Sequence, residues 1–327
     1  MDSRGRRRIA IVSTGGTIAN TPDGRLSIDD VVDTIETQHP EVAIRDRFDL
    51  VVEEVEREAA EAFTPKTWLG IARTVQQWID RDDIDAVVVT HGTYTVEETA
   101  YFLHLTVDTS KPLVLTCSQR KHGTLGNDGD HNFVDALRVA AASDAGGIGA
   151  VLVVNEEIHS GRDVVKVSRR PGGFVSPALG ALGSVDEDRV ILYRRPMRRH
   201  TSSSDLARTA REAMPTVEVV ATHPGASAAA IDDAVARGVA GIVIQGYAFS
   251  GRPGPEQLAA AAQASKRGVA VVLSSRGGEG RIPVPATKDG LVRGDNLPTS
   301  KAFVLLTTAL AAGIEGRDAL QAIFDTH

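Results

Sequence analysis

Two short turns with the same layout, Thr14–Thr17 and Thr90–Thr95, bring threonine and glycine together directly after an apolar run. The runs themselves, Ile9–Ser13 and Ala86–Val89, predict buried strands. In open α/β sheets ligands bind beyond the carboxyl ends of the strands, and glycine lets the backbone approach a ligand closely. We therefore expect both turns to face one crevice and to present hydroxyl groups there. A plain strand-to-loop turn is the alternative.

A threonine hydroxyl is a weak nucleophile at neutral pH and needs a base, or a relay to one. A desolvated lysine, a tyrosinate or a carboxylate would serve. Lys166 follows the apolar run Ala150–Val154, and burial can lower the pKa of a lysine far enough for this role. A lone lysine is usually solvated, so its position alone makes Lys166 a candidate and no more.

Composition and motifs exclude several classes of function. The formal net charge of −7 argues against nucleic acid as a partner, because phosphate binding needs a basic surface. The first turn lacks the G-x-G-x-x-G pattern of dinucleotide sites and the Gly-Lys-Ser/Thr of phosphate loops. No stretch approaches the roughly 18 apolar residues of a membrane span. With a single cysteine, Cys117, no intrachain disulfide can form, and we expect a soluble, cytoplasmic protein.

The elements that must position these residues alternate between strand and helix. Helical spacing predicts helices over Trp68–Ile79, Glu97–Leu103 and Phe133–Ala142, and Ser27 with Asp30 resembles the cap of another helix. The intervening strands are continuously apolar, which is typical of a parallel α/β sheet, and 327 residues favour two domains. We predict a larger N-terminal α/β domain with a mostly parallel sheet over 1–195, a linker over 196–216, and a smaller C-terminal α/β domain over 217–327.

Four stretches together resemble the bacterial-type asparaginases. Ile11–Ala19 is similar to the first signature of that family and Thr90–Leu103 to the second. Gly161–Lys166 matches the stretch that holds the catalytic lysine of the family, and Pro298–Phe324 resembles its last helices. The resemblance covers nearly the whole chain, in order. It implies an asparaginase-like fold and an enzyme that hydrolyses a C–N amide bond.

The resemblance also implies roles for individual residues. Thr17 would be the nucleophile that forms the acyl-enzyme, and Thr93 would position or activate water through a link to Lys166. Backbone N–H groups of the turns that contain Gly16 and Gly92 would stabilise the oxyanion. The leaving group would be ammonia or an amine.

Neither a metal nor another cofactor is implied. The histidines do not cluster at ligand spacing, and one cysteine is too few for the usual structural zinc site. His91 is expected to be structural rather than catalytic. The partners that the resemblance implies are a small-molecule amide substrate and further copies of the chain, in a homo-oligomer that is often a tetramer of tight dimers.

The substrate pocket departs from the family pattern. Tyr94 stands where the second signature normally has an aspartate that binds the α-ammonium group of the substrate, and a phenol is neutral near pH 7. Within Arg57–Phe63, Ala60 and Glu61 occupy a turn that usually has serine followed by glutamine or glutamate. Ala60 offers no hydroxyl to an α-carboxylate, whereas Glu61 could replace the amine contact.

Three other differences concern the surroundings of the pocket. Phe249 lies near the position of a family asparagine that faces the active site of a neighbouring subunit. The lid between Ala19 and Val32 has no tyrosine to assist the nucleophile, so Tyr94 is a candidate for that role. Asp128 matches a family aspartate, although a carboxylate that caps its own loop is the simpler interpretation.

These departures weaken the charged contacts to the α-ammonium and α-carboxylate groups of a free amino acid, whereas the threonine hydroxyls and the lysine are retained. Losing a charge-assisted contact from a buried site costs about 1.5–3 kcal/mol. The leading hypothesis is therefore an amidohydrolase whose substrate is not plain L-asparagine but a lactam, a cyclic imide or another amide. A genuine L-asparaginase and a non-catalytic ligand-binding homologue are the alternatives.

Overall fold

The computed structural model describes residues 5–55, 59–208, 214–283 and 289–327, and the chain divides into two units, Met1–Ala207 and Arg208–His327. Part of the predicted linker, 209–213, lies outside the described residues. The same is true of the first two residues of the Arg57–Phe63 turn. None of the helices in the described ranges is long and apolar enough to cross a membrane.

The first unit contains twelve strands and five α-helices among its described residues. The strands are β1 (Arg7–Ser13), β2 (Asn20–Thr21), β3 (Gly24–Arg25), β4 (Phe48–Glu54), β5 (Ala86–Thr90), β6 (Leu113–Thr116), β7 (Ala150–Val154), β8 (Glu157–Ser160), β9 (Val165–Lys166), β10 (Phe174–Val175), β11 (Gly183–Val185) and β12 (Val190–Leu192). The helices are α1 (Ile28–Gln38), α2 (Ile44–Arg47), α3 (Pro65–Ile79), α4 (Val96–Thr106) and α5 (Gly129–Ala141).

Eight of these strands form one sheet in the order β12-β11-β8-β7-β6-β5-β1-β4. The five strands from β7 to β4 in this order are parallel, and β8, β11 and β12 extend the sheet in antiparallel fashion. Strands β5, β6 and β7 are buried along their whole length, as their continuous apolar sequences predict. The mostly parallel α/β sheet expected from the sequence is confirmed.

The order of the strands fixes where a ligand can bind. From β1 the chain moves outward to β4, and it then returns to the opposite side of β1 to add β5, β6 and β7. Successive connections therefore diverge between β1 and β5, which opens a crevice at the carboxyl ends of these two strands. Both threonine-containing turns emerge at this crevice.

The second unit is a smaller four-stranded parallel sheet with helices. Its elements are β13 (Val217–Ala221), α6 (Ala229–Ala236), β14 (Gly241–Gly246), α7 (Pro255–Lys266), β15 (Ala270–Ser275), β16 (Val292–Pro298), α8 (Thr299–Ala311) and α9 (Arg317–Thr326). The strands lie in sequence order, and the core of this unit packs β14 and β15 against α6 and α7. The smaller C-terminal α/β domain is likewise confirmed.

Candidate active site

The two turns are held side by side by the sheet. Ser13 and Thr90 are paired at the ends of β1 and β5. One residue further, the backbone N–H and the hydroxyl of Thr14 both donate to the carbonyl oxygen of Thr90, at 3.0 and 2.9 Å. Because Thr14 is buried, water does not compete for these two hydrogen bonds. They therefore fix the spacing of the two turns.

Gly16 allows the backbones of the two turns to touch. Its φ of 94° lies in the region that favours glycine, and a Cβ atom there would stand 2.5 Å from the carbonyl oxygen of His91. The short 3₁₀ helix Thr17–Ala19 begins directly after it. The hydroxyl of Thr17 is thus carried on a rigid turn at the mouth of the crevice.

A third segment packs against the second turn. A Cβ atom on Gly92 would approach the Cβ atom of Ala60 to 2.7 Å, and the Thr95 hydroxyl donates to the carbonyl oxygen of Ala60 at 2.9 Å. Ala60 is 5 % exposed. A small side chain at position 60 is therefore part of how this wall of the site is built.

Lys166 reaches the second threonine. Its Nζ donates to Thr93 Oγ1 at 2.7 Å and lies 3.2 Å from the Thr93 carbonyl oxygen. Burial lowers the pKa of Lys166, while the nearby Cys117 thiol and the Glu97 carboxylate act in the opposite direction. A lowered pKa increases the fraction of neutral amine near pH 7, which is the form that can accept a proton.

The backbone and the ring environment of Lys166 are also defined. The Lys166 backbone N–H donates to Glu97 Oε2, which lies in the first turn of α4. The ammonium group lies 5.6 Å from the centre of the Tyr94 ring and 5.7 Å from that of Phe174. Tyr94 is 71 % exposed, so its ring shields the lysine from one side only.

These groups surround a cavity of about 260 Å³ in the first unit. Its lining residues are Gly16, Thr17, Asn20, Arg25, Ala59, Ala60, Glu61, Gly92, Thr93 and Tyr94. Two hydroxyl-bearing residues, Thr17 and Thr93, therefore line one space that is large enough for a small molecule. Among the described residues, no such pair of hydroxyl-bearing side chains lines the larger cavity of about 730 Å³ beside α7.

The structure brings together all the candidate site residues but one. Seven of these residues line the cavity, and Lys166, which does not line it, contacts the lining residue Thr93. Phe249 lies in the second unit, where its side chain is 97 % exposed. Sequence reasoning missed Arg25 and Glu97. For Arg25, the only local indication in the sequence is the Asp23-Gly24 pair directly before it, which is typical of a turn.

Two residues near the site have structural roles. His91 is fully buried, burial lowers its pKa to about 4, and its Nδ1 lies 2.8 Å from the Gly92 carbonyl oxygen, so the ring is neutral at pH 7. The Asp128 carboxylate accepts the backbone N–H groups of Gln119 and Arg120 at 2.9 Å each and thereby holds its own loop. Across the described residues, no three His, Cys, Asp or Glu side chains group closely enough to hold a metal ion.

Comparison with known proteins gives a consistent result. The model of the family "Asparaginase, N-terminal" matches residues 8–198, and that of the "Glutaminase/Asparaginase C-terminal domain" matches residues 216–324. L-asparaginase 2 of Bacillus subtilis is 33 % identical over 92 % of this chain and 82 % of its own length. A glutaminase-asparaginase of Pseudomonas aeruginosa is 31 % identical over 97 % of this chain and 89 % of its own length.

The fold has a similar match. A crystal structure described as a probable cytoplasmic L-asparaginase from Campylobacter jejuni superimposes with a TM-score of 0.92 at 30 % identity. The superposition covers 98 % of this chain and 100 % of the other.

Proposed function

This chain belongs to the asparaginase family of amidohydrolases, which act on carbon–nitrogen bonds other than peptide bonds, and we propose that it works through a threonine acyl-enzyme. Thr17 Oγ1 attacks the amide carbonyl, and backbone N–H groups of the two glycine turns stabilise the oxyanion. The C–N bond then breaks, the nitrogen takes up the proton that the Thr17 hydroxyl gave up, and an ester to Thr17 remains. Ammonia or an amine departs from an open-chain amide, whereas the nitrogen of a lactam or cyclic imide stays attached through the opened ring. Water hydrolyses this ester and regenerates the hydroxyl.

The observation that carries this proposal is the contact of 2.7 Å between Lys166 Nζ and Thr93 Oγ1. Lys166 is a half-buried amine with a lowered pKa, and it is hydrogen-bonded to Thr93, which lines the cavity. Such a pair can act as a base coupled to a proton relay. Thr93 can thus accept a proton from the attacking water while Lys166 accepts one from Thr93. The same contact argues against a non-catalytic binding protein, because binding alone does not require a proton relay.

We further propose that the substrate is not plain L-asparagine but a lactam, a cyclic imide or another amide. Tyr94 offers no negative charge to an α-ammonium group, and the buried Ala60 offers no hydroxyl to an α-carboxylate. The lost charge-assisted contact alone would weaken binding of asparagine by about 1.5–3 kcal/mol, which is roughly ten- to hundred-fold in affinity.

A genuine L-asparaginase is the second candidate, and one observation favours it. Glu61 lines the cavity, so its carboxylate is placed where it could bind an ammonium group. Relatives of similar length are named L-asparaginase or glutaminase-asparaginase. The two candidates differ only in the head group of the substrate, because both use the same hydroxyls and lysine.

A cytoplasmic location and a homo-oligomeric state belong to the same proposal. The name of the matching Campylobacter jejuni structure supports the first, although a relative from Haemophilus influenzae is named a probable periplasmic L-asparaginase. The exposed ring of Phe249 supports the second, since a large apolar side chain in water favours a partner surface.

Turnover of a substrate panel tests the proposed function. Purified protein is assayed on L- and D-asparagine, glutamine, simple amides, lactams and cyclic imides, with Thr17→Ala as the inactive control. We expect activity on an amide without an α-ammonium group and its loss in Thr17→Ala. Fast asparagine turnover with a KM in the millimolar range or below would favour the second candidate. No turnover of any compound would contradict both.

Tyr94→Asp supplies a further arm of this experiment. Restoring a carboxylate beside Lys166 is expected to lower KM for L-asparagine by about ten- to hundred-fold, because an ammonium group regains a charged partner. Tyr94→Asn has nearly the same shape as the aspartate but lacks its charge, and should not do so. Equal effects of both variants would show that the size of Tyr94, rather than its missing charge, sets the choice of substrate.

A further inference from the structure

A hairpin directly after the nucleophile carries an arginine into the cavity. Strands β2 and β3 pair antiparallel, with Asn20 opposite Arg25, and the Leu26 backbone N–H donates to the Ala19 carbonyl oxygen at 2.8 Å. The chain therefore leaves the Thr17 turn, reverses within a few residues and returns to it. As a result the side chain of Arg25 lines the same cavity as Thr17.

The guanidinium group of Arg25 lies against the first glycine turn. Its Cζ, Nη1 and Nη2 atoms stand 3.0–3.1 Å from the position that a Cβ atom on Gly15 would occupy. Three atoms at nearly equal distance mean that the plane of the group faces the turn. Gly15 leaves room for this arrangement because it has no side chain. The positive charge is thereby placed two residues from the nucleophile, on the same wall of the cavity.

A carboxylate outside the cavity orients this arginine. Arg25 Nη2 donates to Glu54 Oε1 at 2.8 Å, and the two side chains are 26 % and 38 % exposed. Partly exposed ion pairs contribute little to stability, so a ligand carboxylate can share the guanidinium with Glu54. Among the described lining residues only one other charged side chain occurs, that of the exposed Glu61, whose charge is screened by solvent.

We propose that Arg25 recognises a carboxylate of the substrate, and that the substrate class is an amide that carries a carboxylate but no ammonium group beside it. This inference deepens the proposed function and rests on it. The planar guanidinium matches a carboxylate in a two-pronged geometry that a lysine or a hydroxyl does not offer. It supplies a charged anchor beside the nucleophile, whereas Ala60 and Tyr94, which line the same cavity, supply none.

Three compounds and three variants test the assignment. Succinamate has an amide and a carboxylate, butyramide is a neutral analogue without the carboxylate, and L-asparagine adds the ammonium group. For Arg25→Gln we expect kcat/KM on succinamate to fall about ten- to hundred-fold, with less than about threefold change on butyramide. Arg237→Gln is the matched control, because Arg237 forms a 2.8 Å pair with Glu218 that is likewise partly exposed, in the second unit.

Glu54→Gln separates recognition of the substrate from a merely structural ion pair. If Arg25 binds the carboxylate, removing its competitor lowers KM for succinamate. If the pair only holds the hairpin, Glu54→Gln and Arg25→Gln reduce turnover of all compounds alike, and the assignment is wrong. Equal wild-type activity on succinamate and butyramide would also overturn it.

A binding measurement keeps this result distinct from a failure of the proposed function. Calorimetric titration of Thr17→Ala with succinamate should show binding that the double variant with Arg25→Gln loses. Binding of this kind by a wild-type enzyme without turnover would contradict the proposed reaction and support the role of Arg25. Turnover of neutral amides without Arg25-dependent binding of succinamate would support the proposed reaction and contradict the role of Arg25. Absence of both turnover and binding would contradict both proposals.

Discussion

Lys166 shows how neighbouring residues set the chemistry of one side chain. Burial lowers its pKa, and Cys117 and the nearby Glu97 carboxylate act in the opposite direction. The same carboxylate accepts the Lys166 backbone N–H, so Glu97 both holds the backbone of the lysine and influences its pKa. Because Glu97 acts through Lys166, we regard it as a positioning residue.

Glu97→Gln is expected to move the acid limb of the pH profile. In the proposed reaction neutral Lys166 is the base, so activity is expected above its pKa and should be lost as the pH falls through it. Removing the negative charge lowers this pKa further, which shifts the acid limb of kcat/KM toward lower pH. Glutamine still accepts the backbone N–H, and the plateau activity should change by no more than about threefold.

The control for this experiment is Glu256→Gln, which removes an exposed glutamate from the first turn of another helix, α7. It should leave the pH profile unchanged. A lower plateau without any displacement of the acid limb in Glu97→Gln would show that Glu97 supports the fold and not the protonation of Lys166.

At the residue scale, sequence patterns indicate candidate reacting groups more readily than the partners of those groups. Thr17, Thr93 and Lys166 lie in short motifs that can be recognised without a structure. Arg25 and Glu97 do not, because their importance arises from contacts over 29 and 69 residues of chain, with Glu54 and Lys166. No local spacing encodes such a contact.

Among the secondary-structure elements, those with a strong period or a cap were predicted well. The cap expected from Ser27 and Asp30 is present as a reciprocal pair of hydrogen bonds at the start of α1, which confirms that prediction. Strand β16 was missed, because its sequence contains Arg293 and Asp295 rather than an apolar run. Asp289, four residues earlier in the chain, binds the buried Arg293 guanidinium at 2.5 Å, and Arg281 pairs with the buried Asp295 at 3.0 Å, so both charges of the strand have partners.

The rigidity of the first glycine turn leads to a prediction at this scale. In Gly16→Ala the new methyl group must meet the His91 carbonyl oxygen, 2.5 Å away, at a φ that alanine disfavours. We expect about 1–3 kcal/mol loss of unfolding free energy and a fall in kcat of about a hundred-fold or more, since an oxyanion donor is displaced. Thermal denaturation and steady-state kinetics measure the two effects.

Gly70→Ala is the matched control for this substitution. Gly70 lies on the exposed face of α3 and a Cβ atom there meets nothing within 4 Å. Alanine favours a helix over glycine, so this variant should be more stable by about 0.5–1 kcal/mol and fully active. If Gly16→Ala behaved in the same way, the close approach of the two turns would not matter for catalysis.

For the whole molecule, the proposed homo-oligomer requires a surface on which copies of the chain can meet. The second unit presents Phe249 with 97 % of its side chain exposed, near an Arg276 guanidinium that stacks on the Tyr247 ring at 4.7 Å. Exposing this ring to water is unfavourable, and burial against another chain would remove the cost. We expect light scattering after size-exclusion chromatography to show a dimer or a tetramer.

Complementation between two variants tests whether a neighbouring chain completes each site. Thr17→Ala lacks the proposed nucleophile in the first unit, and Phe249→Asp alters only the second unit. If the Phe249 of one chain serves the cavity of another, co-expressed chains form some sites with both residues intact, and activity returns. Thr17→Ala with Thr93→Ala is the control, because both residues line one cavity of the same unit and no exchange of chains can restore it.

Recovery of activity in the first mixture alone would show shared sites. A fully active Phe249→Asp, or recovery in neither mixture despite mixed oligomers, would show that each chain works by itself.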